Sequence, residues 1–333
     1  MNYIGSKHKL STFLKASIVD VVGSDLSNLV FCDLFAGTGI VGRNFKPLVK
    51  QVISNDVEKY SYILNRNYIG NYQLLNCESK FETLNNLKGV EGFIFSNYCE
   101  EGKEGRLYFS SENGKKIDAI RQQIEVWKIN NEITNDAYYF LIASLIESAD
   151  KVANTASVYG AYLKNLKKSA QKTLNLVPAE FIITKNSHQV FNEDSNKLIK
   201  KIKGDILYLD PPYNARQYGS NYHLLNTIAK YDTFLPQGKT GLRDYYRSSY
   251  CKKNEVKKTF ENLIKNANFK HIFLSYNNEG LMTENEVSTI LLKYGKYSLK
   301  TTNYQRFKAD KTANRNHKAT ETVEYLHILE KQL

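Results

Sequence analysis

The sequence predicts an α/β fold of the Rossmann-like kind, with a mixed, mostly parallel central sheet flanked by helices. An apolar run, NLVFCDLF at residues 28–35, leads into the glycine-rich loop AGTGIVG and then into a second strand-like run, QVISND at 51–56. Such a β-loop-α-β unit is typical of folds that hold a nucleotide at the first loop. Two further runs, DILYLD at 205–210 and HIFLSY at 271–276, indicate that the sheet resumes late in the chain.

The spacing of apolar residues predicts the other elements. Leu10, Leu14 and Ile18 recur at helical intervals, which predicts an amphipathic helix ahead of the first strand. The run ETVEYLHILEK at 321–331 predicts a strand that closes the sheet. Between the two parts of the sheet we expect short strands around 92–98 and 106–110, a turn at 112–116, and helices over 116–129 and 136–150.

The chain therefore divides into a sheet domain and an insertion. We expect residues 1–70 and 191–333 to form the sheet domain, and residues 71–190 to form a lobe between its two parts. The segment VYGAYLKNLKKSAQKTL at 158–174 makes that lobe basic and aromatic. A chain of 333 residues with 42% apolar side chains is long enough for both.

The composition favours a polyanionic partner. Lys and Arg outnumber Asp and Glu by 46 to 34, which gives a formal charge of +12, and the chain has 24 Tyr and 16 Phe. Cations interleaved with aromatic rings suit nucleic acid. A basic soluble protein with its aromatic residues in the core has the same composition, so both interpretations stay open at this point.

Metal-binding, secreted and membrane proteins are disfavoured. The cysteines form no C-x-x-C pair and the six histidines have no ligand spacing, so we expect no metal and a reduced, cytoplasmic location. The start MNYIGSKHKL lacks an apolar signal core, and the apolar run from Tyr138 is too short to cross a bilayer, so we expect no membrane association. The cysteines are Cys32, Cys77, Cys99 and Cys251.

The glycine-rich loop is compatible with more than one ligand. Gly37, Gly39 and Gly42 satisfy G-x-G-x-x-G, and Asp56 follows at a distance found in nicotinamide dehydrogenases. Asp33, however, lies at the end of the first strand, where a carboxylate repels a pyrophosphate but can pair with the amino group of S-adenosylmethionine (SAM). A tight turn without any ligand is the third alternative.

The motif DPPY at 210–213 ends a strand in an unusual way. Its two prolines fix φ and remove two N–H donors, so Asp210 and Tyr213 are held rigidly at the carboxyl end of the strand. In open α/β sheets, ligands bind at that end. The motif predicts a preorganised site, with a merely rigid strand exit as the alternative.

In their order along the chain, these motifs resemble the SAM-dependent DNA adenine-N6 methyltransferases, specifically the alpha group typified by the Dam methylase. The resemblance covers NYIGSK at 2–7, DLFAGTG at 33–39, the acid of SND at Asp56, NED at 192–194, DPPY, and LSYNNEG from Leu274. It implies the SAM-dependent methyltransferase fold, SAM as the cofactor, double-stranded DNA as the partner, and a target-recognition domain in the region 71–190.

The resemblance also implies roles for individual residues. Tyr3 and Lys7 would contact the methionine end of SAM, Asp56 the ribose hydroxyls, and Asp194 the adenine. Each acid or cation has a plainer alternative, since Lys7 can be solvated, Asp56 can cap a helix, and Asp194 can be a surface acid. The loop around the methionine end would comprise Asp33, Phe35, Gly37 and Gly39.

The chemistry of DPPY agrees with this resemblance. The lone pair of the adenine 6-amino group is delocalised into the ring, so methyl transfer needs acceptors that stabilise the charge developing on nitrogen. The Asp210 carboxylate and the Pro211 carbonyl are suited to accept hydrogen bonds from that amine, and Pro212 helps to keep the platform rigid. Tyr213 would stack on an adenine flipped out of the duplex.

Two further segments are candidate DNA contacts. Arg216 and Gln217 follow DPPY, where they would meet the flanking strand or the gap left by a flipped base, or would simply begin a polar helix. Lys308, Lys311 and Arg315 suit phosphate contacts, although a solvated loop is an equally natural interpretation.

The predicted function is site-specific DNA adenine-N6 methylation, either beside a separate restriction endonuclease or as a solitary methylase. Transfer to the amine of cytosine or to adenine in RNA uses the same chemistry and stays open. A DNA-binding protein that keeps a SAM pocket without turnover also stays open. A nicotinamide dehydrogenase would leave DPPY unexplained.

Overall fold

The computed structural model describes residues 7–305 and 321–332. The chain forms two compact units. We call the first the sheet unit, which comprises, among the described residues, 7–57, 186–217, 246–305 and 321–332. We call the second the helical unit, which comprises Glu58–Lys185 and Tyr218–Tyr245.

The sheet unit contains, within the described residues, a seven-stranded sheet in the order β3-β2-β1-β4-β5-β7-β6. Strands β1 to β5 pair in parallel, and β7 pairs antiparallel with both β5 and β6. The predicted mixed, mostly parallel sheet is confirmed. The strands are β1 Val30–Asp33, β2 Gln51–Asn55, β3 Gln189–Phe191, β4 Lys203–Leu209, β5 Asn268–Asn277, β6 Gly295–Gln305 and β7 Glu321–Lys331.

The strand order places the two main motifs next to each other. The chain runs outward from β1 to β2 and β3 on one side, and β4 and β5 lie on the other side. Asp33 at the end of β1 is opposite Tyr208 of β4 in the parallel register. The glycine loop after β1 and DPPY after β4 therefore begin at one edge, at the switch point where α/β sheets bind ligands.

The helices are numbered along the chain. A 3₁₀ turn, Lys7–Leu10, precedes the first helix, and the predicted N-terminal helix is confirmed. The apolar faces of β1 and the second helix meet through Phe31 and Phe45, whose rings stack 4.2 Å apart. The helices of the sheet unit are α1 Ser11–Val22, α2 Ile40–Phe45, α8 Ser195–Leu198, α11 Val256–Asn266 and α12 Glu284–Leu291.

The helical unit is built around α6 and α7. Each begins at a side chain that accepts a hydrogen bond from the first turn, Ser110 for α6 and Thr134 for α7. The apolar run from Tyr138 lies in α7, where a helix was predicted, and is largely buried. The helices here are α3 Lys59–Asn65, α4 Glu78–Asn86, α5 Phe93–Tyr98, α6 Ser111–Ile129, α7 Asn135–Val152, α9 Tyr218–Asn221 and α10 His223–Lys230.

The strand predicted around 92–98 is wrong, because this segment forms α5. The buried carboxylate of Asp118 accepts N–H groups of Gly92, Ile94 and Phe95 at 3.1, 3.0 and 2.8 Å. Asp118 thus caps α5 from a position outside that helix. These hydrogen bonds outweigh the β-propensity of the aromatic residues in the segment.

The strand predicted around 106–110 and the turn predicted at 112–116 are also wrong. Phe109 makes only an isolated bridge to Cys99. The ENGKK stretch lies in the first turns of α6, where Gly114 is buried against α5. A Cβ atom on Gly114 would lie 2.1 Å from Sγ of Cys99, so the glycine permits close helix packing and does not form a turn.

Other elements, among them β3 and β6, are absent from the sequence-based expectations. The edge strand β6, GKYSLKTTNYQ, is polar and therefore gives little apolar signal. The main segment of the helical unit runs from Glu58 to Lys185, compared with the predicted insertion 71–190, and a second segment, Tyr218–Tyr245, follows DPPY.

Candidate active site

The glycine loop after β1 is closed by hydrogen bonds to residues around the end of β2. Gly37 and Gly39 have φ values of 52° and 76°, the left-handed region that favours glycine. The N–H of Gly37 donates to Oδ2 of Asp56 at 2.8 Å, and the N–H of Ala36 donates to the carbonyl of Asn55 at 2.9 Å. Asp56 therefore holds the loop in shape.

Asp33 lies under this loop with only one of its carboxylate oxygens satisfied. The side chain is 1% exposed, and Oδ2 accepts the N–H of Gly42 at 3.1 Å. Within the described parts of the chain, no group donates to Oδ1. Burial raises the pKa of Asp33 to about 8, against the hydrogen bond from Gly42, which lowers it. A ligand ammonium would satisfy this oxygen, so the residue fits the amino group of SAM.

DPPY places its acid against a buried cation. Nζ of Lys7 lies 3.0 Å from Oδ1 of Asp210, and the two side chains are 4% and 18% exposed. Burial raises the pKa of Asp210, and Lys7 partly counteracts this. Burial also disfavours the charged form of Lys7, but Asp210 and its neighbours outweigh burial and raise the pKa of Lys7. Lys7 is therefore held in its charged form, and its charge favours the carboxylate form of Asp210 against the effect of burial.

Tyr213 is fixed from two sides. Its ring meets the ring of Tyr276 edge to face at a centroid distance of 6.1 Å, and its carbonyl accepts the N–H of Leu281 at 2.9 Å. Nζ of Lys7 lies 5.8 Å from the ring centroid. Pro211 is buried and Pro212 is half-buried. The platform is thus rigid in its tertiary setting as well as in its backbone.

Glu324 is a further acid that sequence reasoning missed. It lies on β7 opposite Asn277 of β5 and is 8% exposed. Burial raises its pKa, and Lys7 lowers it. Its charge also acts on Lys7, together with that of Asp210. No local motif signals this residue, because an antiparallel strand more than 100 residues after DPPY carries it to the site.

Asp194 caps α8. Its Oδ1 accepts the N–H of Lys197 at 3.0 Å, and its Oδ2 accepts the hydroxyl of Tyr246 at 2.6 Å. It lines a cleft of about 330 Å³, together with Tyr246 and Tyr250. The ring of Phe35 meets that of Tyr250 edge to face at 5.1 Å, next to this cleft. The two tyrosines were not singled out from the sequence, because no spacing links them to NED.

The candidate DNA contacts differ in their surroundings. Arg216 is exposed. The amide of Gln217 is half-buried and bonds to the backbone of Ser248, accepting its N–H at 2.9 Å and donating to its carbonyl at 3.4 Å. The remaining predicted site residues, Tyr3, Lys308, Lys311 and Arg315, lie outside the described residues.

The described part of the chain has neither a cluster of metal ligands nor a membrane span. Residues 7–305 and 321–332 contain no group of three or more His, Cys, Asp or Glu side chains that could hold a metal ion. No helix in the described chain has the length and apolar character needed to cross a membrane.

Comparison with known proteins identifies the family. Residues 3–290 match the model for the D12 class N6 adenine-specific DNA methyltransferases. The chain is 64% identical over 332 residues to the Type II methyltransferase M.NlaIII of Neisseria lactamica, covering 99% of both proteins. It is 38% identical to M.CviAII of Paramecium bursaria Chlorella virus 1, over 99% of this chain and 98% of that protein. It is 40% identical to M.FokI of Planomicrobium okeanokoites, of which it spans 53%.

These matches decide between the functions left open by the motifs. The family acts on DNA and on N6 of adenine, which sets aside cytosine, RNA and the nicotinamide dehydrogenase. The methyl donor is SAM, in agreement with the orphaned carboxylate oxygen of Asp33. The chain belongs to the D12 class N6 adenine-specific DNA methyltransferase family and is an adenine-specific DNA methyltransferase.

Proposed function

We propose that this chain is the modification methylase of a restriction-modification system. It would methylate adenine at one recognition site and so protect that site from a separate endonuclease in the same cytoplasm. The relatives support this role, because M.NlaIII and M.CviAII carry Type II methyltransferase names and this chain covers 99% and 98% of them.

In this proposal, Asp210 and Pro211 bind the amine that is methylated. The single observation that carries the proposal is the ion pair of Asp210 with Lys7 at the carboxyl end of β4, beside the glycine loop. Lys7 lowers the pKa of Asp210 against the effect of burial and so favours the carboxylate form, which accepts a hydrogen bond from the adenine amine. The carbonyl of Pro211 accepts the second N–H. The two acceptors stabilise positive charge on nitrogen as the methyl arrives.

Tyr213 binds the face of the target base. An adenine within a duplex cannot present its amine to the platform, so it is flipped out, at a cost of roughly a few kcal/mol. Stacking on an aromatic ring returns about 1–3 kcal/mol. The contact of Tyr213 with Tyr276 fixes the ring plane, and Pro212 prevents the motif from turning away.

The cofactor is held by groups around the glycine loop. SAM, when bound, supplies a methyl group on a positively charged sulfur. Asp33 accepts hydrogen bonds from the ammonium of SAM, Asp56 accepts them from its ribose hydroxyls, and Asp194 accepts one from its adenine amine. Phe35, Gly37 and Gly39 shape the loop, and Tyr3 and Lys7 act at the methionine end. The orphaned oxygen of Asp33 and the left-handed glycines support this arrangement.

DNA is bound by both units in this proposal. The helical unit takes the role of the target-recognition domain, because it interrupts the sheet unit between the glycine loop and DPPY. Arg216 and Gln217 lie just after the platform, where they would contact DNA next to the flipped base. Lys308, Lys311 and Arg315 would contact phosphates.

The test compares Asp210→Asn with the wild type. The variant keeps the shape of the side chain and removes the charge, so we expect methyl transfer from labelled SAM to duplex DNA to fall by at least about 100-fold. SAM binding, measured by calorimetry, should persist. Asp244→Asn, an exposed acid in the helical unit, is the matched control and should behave as the wild type.

The DNA is digested to nucleosides and separated. Label in N6-methyladenosine is the expected product. Label in another nucleoside, or equal transfer by Asp210→Asn, would remove the proposed role of the platform. To test the restriction-modification role, the genomic neighbourhood of the gene is cloned and assayed for an endonuclease whose cleavage the methylation blocks. Absence of such an activity would favour a solitary methylase.

A further inference from the structure

One segment of the helical unit carries positive charge and contains none of the candidate active-site residues. Residues 154–180, here called the strap, have no helix or strand along their whole length. From 156 to 179 the strap contains four lysines and no Asp or Glu. A long irregular segment inside a compact domain is uncommon and is usually functional or disordered.

The strap is held in place by buried polar side chains. Asn154 is fully buried, donates to the carbonyls of Leu107 and Leu163 at 2.9 and 3.0 Å, and accepts the N–H of Lys167 at 3.0 Å. Asn113 of α6 accepts the N–H of Leu174 at 2.8 Å. An asparagine side chain can both donate to and accept from a backbone, so it replaces the partner that a strand would supply.

Polar side chains of the neighbouring helices also bond to the backbone in the rest of the strap. Asn85 of α4 both accepts from and donates to the backbone of Leu176, at 2.8 and 3.0 Å. Ser144 of α7 accepts the N–H of Ala179 at 2.9 Å, and Asn67 donates to the carbonyl of Ala179 at 2.7 Å. The strap is therefore an ordered surface, although it has no secondary structure.

Tyr159 anchors the first part of the strap. Its ring is fully buried, its hydroxyl donates to Asp150 at 2.8 Å, and its carbonyl accepts the hydroxyl of Tyr108 at 2.6 Å. Two residues earlier, Ser157 has a φ of 108°, which is strained for a residue with a Cβ atom. Such strain is retained where the surroundings impose a particular backbone shape, often at binding sites.

The lysines of the strap divide into two kinds. Lys167 is half-buried, and its Nζ donates to the carbonyl of Thr155 at 2.7 Å, so it is part of the support. Lys164, Lys168 and Lys172 are exposed, and within the described chain none of them forms a salt bridge with a carboxylate. Three unpaired cations on a preordered backbone attract a polyanion at a small cost in conformational entropy.

We propose that the strap is a DNA-backbone binding surface, on which Lys164, Lys168 and Lys172 contact phosphates. The inference rests on the proposed recognition role of the helical unit and names the surface that does the binding. The lysines carry no base-reading geometry, so they hold and orient the duplex, and other groups read the sequence. Asn154 and Asn113 act as positioning residues through the backbone they support.

The test measures DNA affinity as a function of salt. In the variant Lys164→Ala/Lys168→Ala/Lys172→Ala only exposed side chains change, so we expect a wild-type melting temperature. The slope of log K against log salt should become shallower by about 0.9 for each phosphate contact removed, or roughly 2 to 3 in total. Affinity for specific and for unrelated duplexes should fall by similar factors, measured by fluorescence anisotropy at several salt concentrations.

A control with the same change of charge separates position from net charge. Lys88→Ala/Lys103→Ala/Lys253→Ala removes three exposed lysines outside the strap, and its salt slope should equal that of the wild type. An unchanged slope in the strap variant would overturn the inference, and so would an equal decrease in the control. Methyl transfer by the wild type is measured in parallel, because its absence would instead contradict the proposed function.

Discussion

Lys7 and Asp210, separated by about 200 residues in the sequence, form a buried ion pair with 3.0 Å between Nζ and Oδ1. The ammonium engages one carboxylate oxygen, and we expect the other to accept the adenine amine. A buried pair of this kind is costly to break, because the remaining charge is left without a partner. The pKa of the acid of DPPY is thus lowered by a residue near the start of the chain.

Replacement of Lys7 by Met should shift the pH dependence of methyl transfer. Burial raises the pKa of Asp210 and Lys7 lowers it, so removal of Lys7 raises that pKa further. Asp210 must be ionised to act as an acceptor, and the acid limb of the pH–rate profile should therefore move to higher pH. Single-turnover transfer at a series of pH values measures this shift.

Lys7→Arg is the matched control, since it keeps the charge and should keep the profile near that of the wild type. An unshifted profile in Lys7→Met, combined with weaker SAM binding, would contradict the pairing role. It would instead favour the contact with the methionine end of SAM that the family resemblance implies.

Replacement of Asp33 by Asn should change the pH dependence of stability. The pKa of Asp33 is raised to about 8 in the folded protein from an ordinary value of 3.8. The native state therefore binds the proton of Asp33 more tightly than the unfolded state does. This tighter proton binding adds to the free energy of unfolding at low pH, and the added stability is lost as pH rises from about 4 to about 8.

Urea denaturation of the SAM-free protein at several pH values measures the effect. Relative to the wild type, Asp33→Asn should become more stable as pH rises through that window, by on the order of a few kcal/mol at the upper end. SAM binding should be weakened in the variant. A constant difference in stability across the window would show that Asp33 titrates normally.

Replacement of Asp194 by Ser separates its two roles. Ser is as good a helix N-cap as Asp, so α8 should stay capped, while the hydrogen bond from the Tyr246 hydroxyl is lost in this variant and in Asp194→Ala alike. The carboxylate is lost, and we expect SAM affinity in calorimetry to fall by roughly tenfold or more, the size of a hydrogen bond to a charged group. Asp194→Ala, which removes the cap as well, should lose about 1 kcal/mol of stability. Unchanged SAM affinity in Asp194→Ser would leave Asp194 with the capping role alone.

Replacement of Tyr213 should reveal a requirement for its ring and not for its hydroxyl. Tyr213→Phe keeps the aromatic face and the contact with Tyr276, so single-turnover methyl transfer should stay within a few-fold of the wild type. Tyr213→Ala loses about 1–3 kcal/mol of stacking, so the rate should fall by roughly 5- to 150-fold at equal SAM occupancy. A Tyr213→Phe variant as slow as Tyr213→Ala would indicate that the hydroxyl acts in the reaction.

Much of the sheet unit follows from local patterns. Short apolar runs that end in Asp33 and Asp210 predicted strands and their functional ends, and the period around Leu14 predicted α1. The helical unit was harder to predict. The segment that forms α5 has strong β-propensity, and it forms a helix that Asp118, more than 20 residues later, caps. Such a contact leaves no trace in local composition.

The site divides in the same way. The sequence alone predicted a rigid DPPY segment after one strand and a glycine loop after another, because proline and glycine act on the backbone at their own positions. The folded structure alone shows that Lys7 pairs with Asp210, and that Glu324 of β7 acts on the charge of Lys7. It also decided that a basic strap without secondary structure is held in shape by buried asparagines such as Asn154. These contacts join residues that are distant in the sequence. Each pairing is strong because the groups are buried and removed from water.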